Sequence, residues 1–108
     1  MAYRVEWRTE ARDELRSQFS KKHQRTIIRK IEHFAANLPA SLGLKTVQPI
    51  RNTPLRPDGG RAFELDIGAG PRAALVVFES SQKVVVYLVG GHDYAYSHYL
   101  SALERRMP

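Results

Sequence analysis

Apolar and polar residues alternate at the start of the chain and again in its second half, with helical spacing between. Tyr3, Val5 and Trp7 alternate with Arg4, Glu6 and Arg8, the period of a half-buried strand. Thr9 follows as an N-cap, and Glu10, Asp13 and Glu14 bring negative charge to the first turn, where a helix dipole favours it. Ala11, Leu15 and Phe19 recur every four residues and predict a short amphipathic helix. Ser20 caps a second helix with the buried stripe Ile27, Ile31, Phe34, Ala35 and Leu38. Pro39 ends it, because the residue before a proline is pushed out of the helical region.

Residues 40–60 read as a long basic loop, with Pro49, Pro54, Pro57, Gly59 and Gly60 among Lys45, Arg51 and Arg56. A connection of that length inside a small domain is usually functional. Three strands follow. In residues 61–67, Phe63, Leu65 and Ile67 share one face and Ala62, Glu64 and Asp66 the other. Gly68-Ala69-Gly70-Pro71 turns the chain into residues 72–79, and Ser80-Ser81-Gln82 turns it again into residues 83–89. Val84 to Val89 are all β-branched or bulky, as in a central strand covered on both faces. Gly90-Gly91 stops that strand, and Ala95, Tyr99 and Leu103 predict a last helix within residues 94–106.

The order is β-α-α-β-β-β-α, an α+β fold in a single domain, 1–108. A helical hairpin is expected on one face of a small antiparallel sheet, with a short C-terminal helix at its rim. The opposite face is then left as a hollow framed by the long loop and that rim.

Charge adds a partner class. Lys and Arg number 17 against 11 Asp and Glu, a net charge of +6 with a pI near 10.0, which suits a polyanion. Lys21, Lys22, Arg25, Arg29 and Lys30 lie opposite the stripe of the second helix, either as a solvated face or as a phosphate-gripping ridge. With no cysteine there is neither a disulfide framework nor a thiolate zinc site. No signal-peptide core or membrane-length apolar run is present, and a cytoplasmic location is the expectation.

The densest chemistry follows the twin glycines, where His92, Asp93, Tyr94, Tyr96, His98 and Tyr99 fall within eight positions. This order and two segments, GRAFELDIGAGPRAALVVF (60–78) and GGHDYAYSHYLSALERR (90–106), resemble the RelE/ParE toxin superfamily of bacterial toxin–antitoxin systems. The first is similar to the family's paired strands, an aromatic-Glu-Leu strand followed by one that opens with arginine. The second is similar to a His-Asp-x-Ala-Tyr segment that closes one RelE-like branch. Many members carry arginine after the Glu-Leu pair, where Asp66 stands here.

The resemblance implies a metal-independent mRNA endonuclease acting at the ribosome, with no cofactor, held in check by a cognate antitoxin. The ParE branch shares the fold but poisons DNA gyrase by binding, and a non-catalytic RNA- or ribosome-binding module is a third reading. For cleavage, His92 is the acid–base candidate, since an unperturbed imidazole titrates near pH 6.5, about neutrality. Arg61 and Arg72 are assigned to the scissile phosphate, and Lys45, Arg51 and Arg29 to flanking ones. Glu64 is either a general base or a salt-bridge partner, and Tyr94 and Tyr96 are placed to stack on bases, Tyr99 to join the core. Asp93 orients His92 or caps the last helix, and His92 with His98 lacks metal-ligand spacing. The imidazole and the guanidiniums of Arg61 and Arg72 are expected to converge on one open hollow.

Overall fold

The computed structural model describes residues 3–50, 56 and 58–107. In chain order these form β1 (Arg4–Trp7), α1 (Thr9–Gln18), α2 (Lys21–Ala36), a 3₁₀ turn (Ala40–Gly43), β2 (Val47–Pro49), β3 (Arg61–Asp66), β4 (Pro71–Phe78), β5 (Lys83–Gly91) and α3 (His92–Arg106). The fold is α+β, as expected. The five strands lie in the order β1-β5-β4-β3-β2, with β1 parallel to β5 and the other pairs antiparallel. The sheet is therefore mixed, and β4 takes its centre with β5 beside it. β2 arises inside the stretch read as loop, pairing Val47, Gln48 and Pro49 with Leu65, Glu64 and Phe63. A three-residue strand that contains proline belongs on a sheet edge, where the missing N–H breaks no ladder.

Ser20 caps α2 as the sequence indicates, its hydroxyl accepting from the His23 N–H at 3.3 Å. Thr9 is instead the first residue of α1, whose cap position is held by Arg8 without a side-chain bond. The helical hairpin covers one face of the sheet. There Ala11, Leu15, Ile27, Ile31, Phe34 and Ala35 meet Phe63, Leu65, Leu75, Val77, Val84 and Val86. The opposite face is not left open, because α3 lies across it. Ala95, Tyr99, Ala102 and Leu103 are spaced i, i+4, i+7, i+8 and press on Ala74, Val76, Val85, Tyr87 and Leu88. What remains uncovered is a hollow between α3 and the β2–β3 edge.

A bulge in β5 sets which groups reach the edge. Val86 pairs with Leu75 but Leu88 pairs with Ala74, so Tyr87 is an extra residue on that strand. Tyr87 and Leu88 consequently both face α3, while Val86 and Val89 face the hairpin. β1 is also shorter than β5. Its ladder closes with the Arg8 N–H donating to the Val86 carbonyl at 2.9 Å, which leaves the end of β5 without a strand on that side.

Two side chains complete that edge. Glu14 of α1 accepts from the Val89 N–H at 3.2 Å, and Arg106 at the end of α3 donates to the Tyr87 carbonyl at 2.8 Å. The two are paired, with Arg106 donating to both carboxylate oxygens at 2.7 and 3.1 Å. Tyr94 adds a third bond, its hydroxyl donating to Glu14. Glu14 is thus a buried group in the interior of α1, and not the exposed first-turn charge that the sequence suggests. The hydrogen bond to Glu14 raises the Arg106 pKa further, while burial and then the Glu14 carboxylate raise that of Tyr94.

Breaking such a pair from one side leaves a buried charge unpaired. Glu14→Ala is expected to cost about 3–5 kcal/mol in urea unfolding, and Glu14→Leu combined with Arg106→Met to recover much of that loss. A cost below about 1 kcal/mol for the single change would contradict the role given to this pair. Tyr94→Phe, which loses one hydrogen bond to a charged group, is expected to cost about 1.5–3 kcal/mol. By the same measurement Tyr96→Ala, at an exposed position, should stay within about 0.5 kcal/mol of the parent.

Candidate active site

The site is assembled where β5 passes into α3. The strand continues through both glycines and ends at Gly91, which is the N-cap of α3 with ordinary extended backbone. Gly90 is needed for space. A Cβ there would stand 2.3 Å from Cδ1 of Tyr94, so the bare backbone lets that ring lie flat on the strand and reach Glu14. Tyr94 is therefore turned inward, stacked on His98 at 4.2 Å, and is not a platform for a base.

His92 opens α3 with its side chain about half exposed, and its Nδ1 lies 3.1 Å from Oδ1 of the exposed Asp93. Asp93 thus orients the imidazole and makes no capping bond. One and two turns along the same helix face come Tyr96 and Tyr99, with ring centroids 4.5 Å from His92 to Tyr96 and 5.7 Å from Tyr96 to Tyr99. Tyr96 is 58% exposed and Tyr99 only 5%. The row runs from solvent at the imidazole to the interior at Tyr99.

The sheet supplies charge beneath this row. Arg72 pairs across the strands with both Gly90 and Asp66, and its Nη1 donates to Asp66 Oδ1 at 3.0 Å and to the Pro71 carbonyl at 3.2 Å. Asp66 also accepts from the Gly68 N–H at 2.8 Å, holding a turn in which Gly68, Ala69 and Gly70 all have positive φ. The residue that stands where many RelE-like chains have arginine therefore braces the turn and Arg72 together. Glu64 is half-buried on the same sheet face as Arg72, and these two are the main charges acting on the Tyr99 hydroxyl. Burial, then the Glu64 charge, pushes the Tyr99 pKa upward, so this hydroxyl keeps its proton.

Gln48, Pro49, Glu64, Tyr96, Tyr99 and Leu100 line the hollow beside this row, about 410 Å³ in volume. A second groove of about 550 Å³ lies on the other side of His92, walled by Phe19, His23, Ile27, Ile67 and Pro71. His92 lines this second groove and meets the first only through its ring contact with Tyr96.

The structure thus brings His92, Tyr96, Arg72 and Glu64 to one end of the molecule. It does not bring Arg61. That residue opens β3 five positions before Asp66, roughly 16 Å away at strand spacing, and is on the hairpin face. Its guanidinium lies 5.2 Å from the Phe63 ring and 3.7 Å from Glu79. The expected convergence of Arg61 and Arg72 fails because both residues take their places from the antiparallel register, which sends them to opposite ends of the ladder. Arg29 is exposed on α2, across the sheet from the hollow. Lys45 is exposed two residues before β2, on the edge that borders the hollow. Arg51 lies outside the described residues. Gln48 and Leu100 were not singled out from sequence. Gln48 was hidden with the unrecognised strand, whereas Leu100 could have been found one turn beyond Tyr96. Among the described residues there is no cluster of three or more metal-ligating side chains, and no helix is long and apolar enough to cross a membrane.

Neither a family model nor a curated protein matches the chain significantly. Solved structures do. The RelE of the archaeal RelE–RelB complex from Pyrococcus horikoshii OT3 superposes with a TM-score of 0.65 at 18% identity, over 84% of this chain and 96% of that one. A doubly substituted E. coli RelE toxin in the free state gives a TM-score of 0.65 at 22% identity, over 97% and 98%. The toxin–antitoxin complex RelBE2 of Mycobacterium tuberculosis gives 0.58 at 20%, over 85% and 100%. At such identities the likeness is one of architecture, and the architecture of this chain is that of the RelE toxins.

Proposed function

We propose that this chain is the toxin of a toxin–antitoxin pair and an endoribonuclease that cleaves mRNA by acid–base chemistry, at the ribosome. The observation that carries the reading is the His92–Tyr96 ring contact at the end of the β4–β5 ladder where Arg72 pairs with Gly90, in a chain with the RelE fold. Three groups of different chemistry meet there, and each has a part in the reaction.

In the proposed step the 2′-hydroxyl of a ribose attacks the adjacent phosphorus. The P–O bond to the next nucleotide breaks, leaving a 2′,3′-cyclic phosphate and a free 5′-hydroxyl. One proton leaves the attacking oxygen and one joins the departing oxygen. His92 is accessible and oriented by Asp93 for either transfer, each typically worth about 10²–10⁴-fold in rate. Arg72 offers fixed positive charge to the crowded phosphate, with Asp66 and the Pro71 carbonyl holding its Nη1. Tyr96 gives a neighbouring base an exposed ring to stack on. Glu64, set back beside the buried Tyr99, is less accessible than His92 and is not assigned the proton transfer. Lys45 and the basic side of α2 suit messenger or ribosomal phosphates, in line with the net charge of +6. An antitoxin partner is supported by the RelE–RelB and RelBE2 complexes among the structural neighbours.

Inducing the chain in cells and mapping RNA ends tests this. New mRNA ends should appear with the parent. They should fall by about 10²–10⁴-fold with His92→Ala and by at least about tenfold with Arg72→Ala, but change less than about threefold with Arg61→Ala. Growth arrest with intact transcripts, together with loss of gyrase supercoiling by the purified chain, would assign it instead to gyrase poisoning.

A further inference from the structure

Arg72 is held by one corner of its guanidinium and open along the opposite edge. Its Nη1 donates to Asp66 Oδ1 at 3.0 Å, to the Pro71 carbonyl at 3.2 Å and, more weakly, to the Gly70 carbonyl at 3.4 Å. Its Nε and Nη2 make no hydrogen bond among the described residues, although only 19% of the side chain is exposed. Arginines paired elsewhere differ. Arg106, as deeply covered at 16%, spends both Nη groups on Glu14 and the Tyr87 carbonyl. Arg56 turns Nε and Nη2 to Asp58, and Arg61 is 53% exposed, so water serves what Glu79 does not. A guanidinium mostly out of water needs its donors satisfied, because an unmade bond on a charged group costs more than one on a neutral group. The Nε–Nη2 edge is also the pair of parallel donors that grips two oxygens of one phosphate.

We infer that Asp66 is a positioning residue, whose Oδ1 fixes Nη1 of Arg72 so that the Nε–Nη2 edge is presented to the scissile phosphodiester. The inference rests on the reading of the chain as an RNA-cleaving protein and adds what aims the guanidinium and which of its edges meets the substrate. Asp66 is suited to aiming. Its Oδ1 also accepts from the Gly68 N–H at 2.8 Å, in a turn where Gly68, Ala69 and Gly70 all have positive φ. Asp66 and Arg72 are direct partners across β3 and β4, so the acceptor is fixed by the turn and by the strand register together. As a pair of charges the contact is weak, since the Asp66 side chain is 43% exposed. The carboxylate also repels a phosphate, so its charge works against binding while its oxygen works for it. Asparagine keeps that oxygen and drops the charge, whereas alanine drops both, which separates the two effects.

Binding of a dithymidine dinucleotide to the purified full chain, followed through the Arg72 Nε–H and Tyr96 ring signals in NMR spectra, tests this. The probe has a phosphodiester but no 2′-hydroxyl, so the proposed route cannot cleave it. It should move the Arg72 signal in the parent. Asp66→Asn should bind it at least as tightly as the parent, and Asp66→Ala at least about fivefold more weakly than Asp66→Asn. Arg72→Lys keeps the charge but has no fork to aim, so in that background Asp66→Ala and Asp66→Asn should agree within about twofold. An unmoved Arg72 signal, equal binding by Asp66→Ala and Asp66→Asn, or a gap between them that survives Arg72→Lys would overturn the proposal. The two readings fail separately. RNA cleavage by a chain with any of those results would remove only the positioning role, and the expected binding pattern in a chain that leaves RNA intact would remove only the nuclease.

Discussion

The buried pair of Glu14 and Arg106 closes a gap that the strands leave. β1 has four residues and β5 nine, so the end of β5 has main-chain groups with no strand to bond them. Main-chain groups of that kind cannot be left bare in an interior. The carboxylate takes the N–H of Val89, the guanidinium gives to the carbonyl of Tyr87, and the two neutralise each other. Taking two charges out of water is costly, and here the cost is offset because each also satisfies backbone that would otherwise be orphaned. A helix from the hairpin side and the last turn of α3 are thereby fastened to one strand edge.

That fastening determines where the chemistry stands. α3 is held at its far end by Arg106 and at its near end by the Tyr94 ring lying on Gly90. Between those points its exposed face presents His92, Tyr96 and Leu100, and its buried face presents Tyr99 to the sheet. The imidazole and the rings therefore sit on a helix fixed at both ends, and the two fixings meet at Glu14. Arg72 is held in its turn by Asp66, and Glu64 by its place in the middle of β3. A guanidinium and a carboxylate therefore stand on neighbouring strands of one sheet face.

Much of this could be read from the order of residues. Alternation located β1 and β3, the turns on either side located β4, four-residue spacing located the helices, and the two patterned segments led to the RelE architecture. What escaped was whatever depends on pairing between distant residues. Glu14 looks like any acidic residue near a helix start, and only its partners 75 to 92 positions away make it structural. Tyr94 and Tyr96 differ by two positions, yet helix phase turns one ring inward and leaves the other in solvent. Arg61 and Arg72 looked equivalent because each begins a strand, but antiparallel pairing puts the starts of β3 and β4 at opposite ends. β2, with three residues and a proline, had too little pattern to be seen.

The chemistry of the RNA ends tests the central claim most directly, since 2′-hydroxyl attack at the His92 rim leaves a product that other routes do not. Fragments released by the chain should carry a 2′,3′-cyclic phosphate, or the monophosphate it opens to, upstream of the cut and a 5′-hydroxyl downstream. Fragments ending in a 3′-hydroxyl and a 5′-phosphate would contradict it.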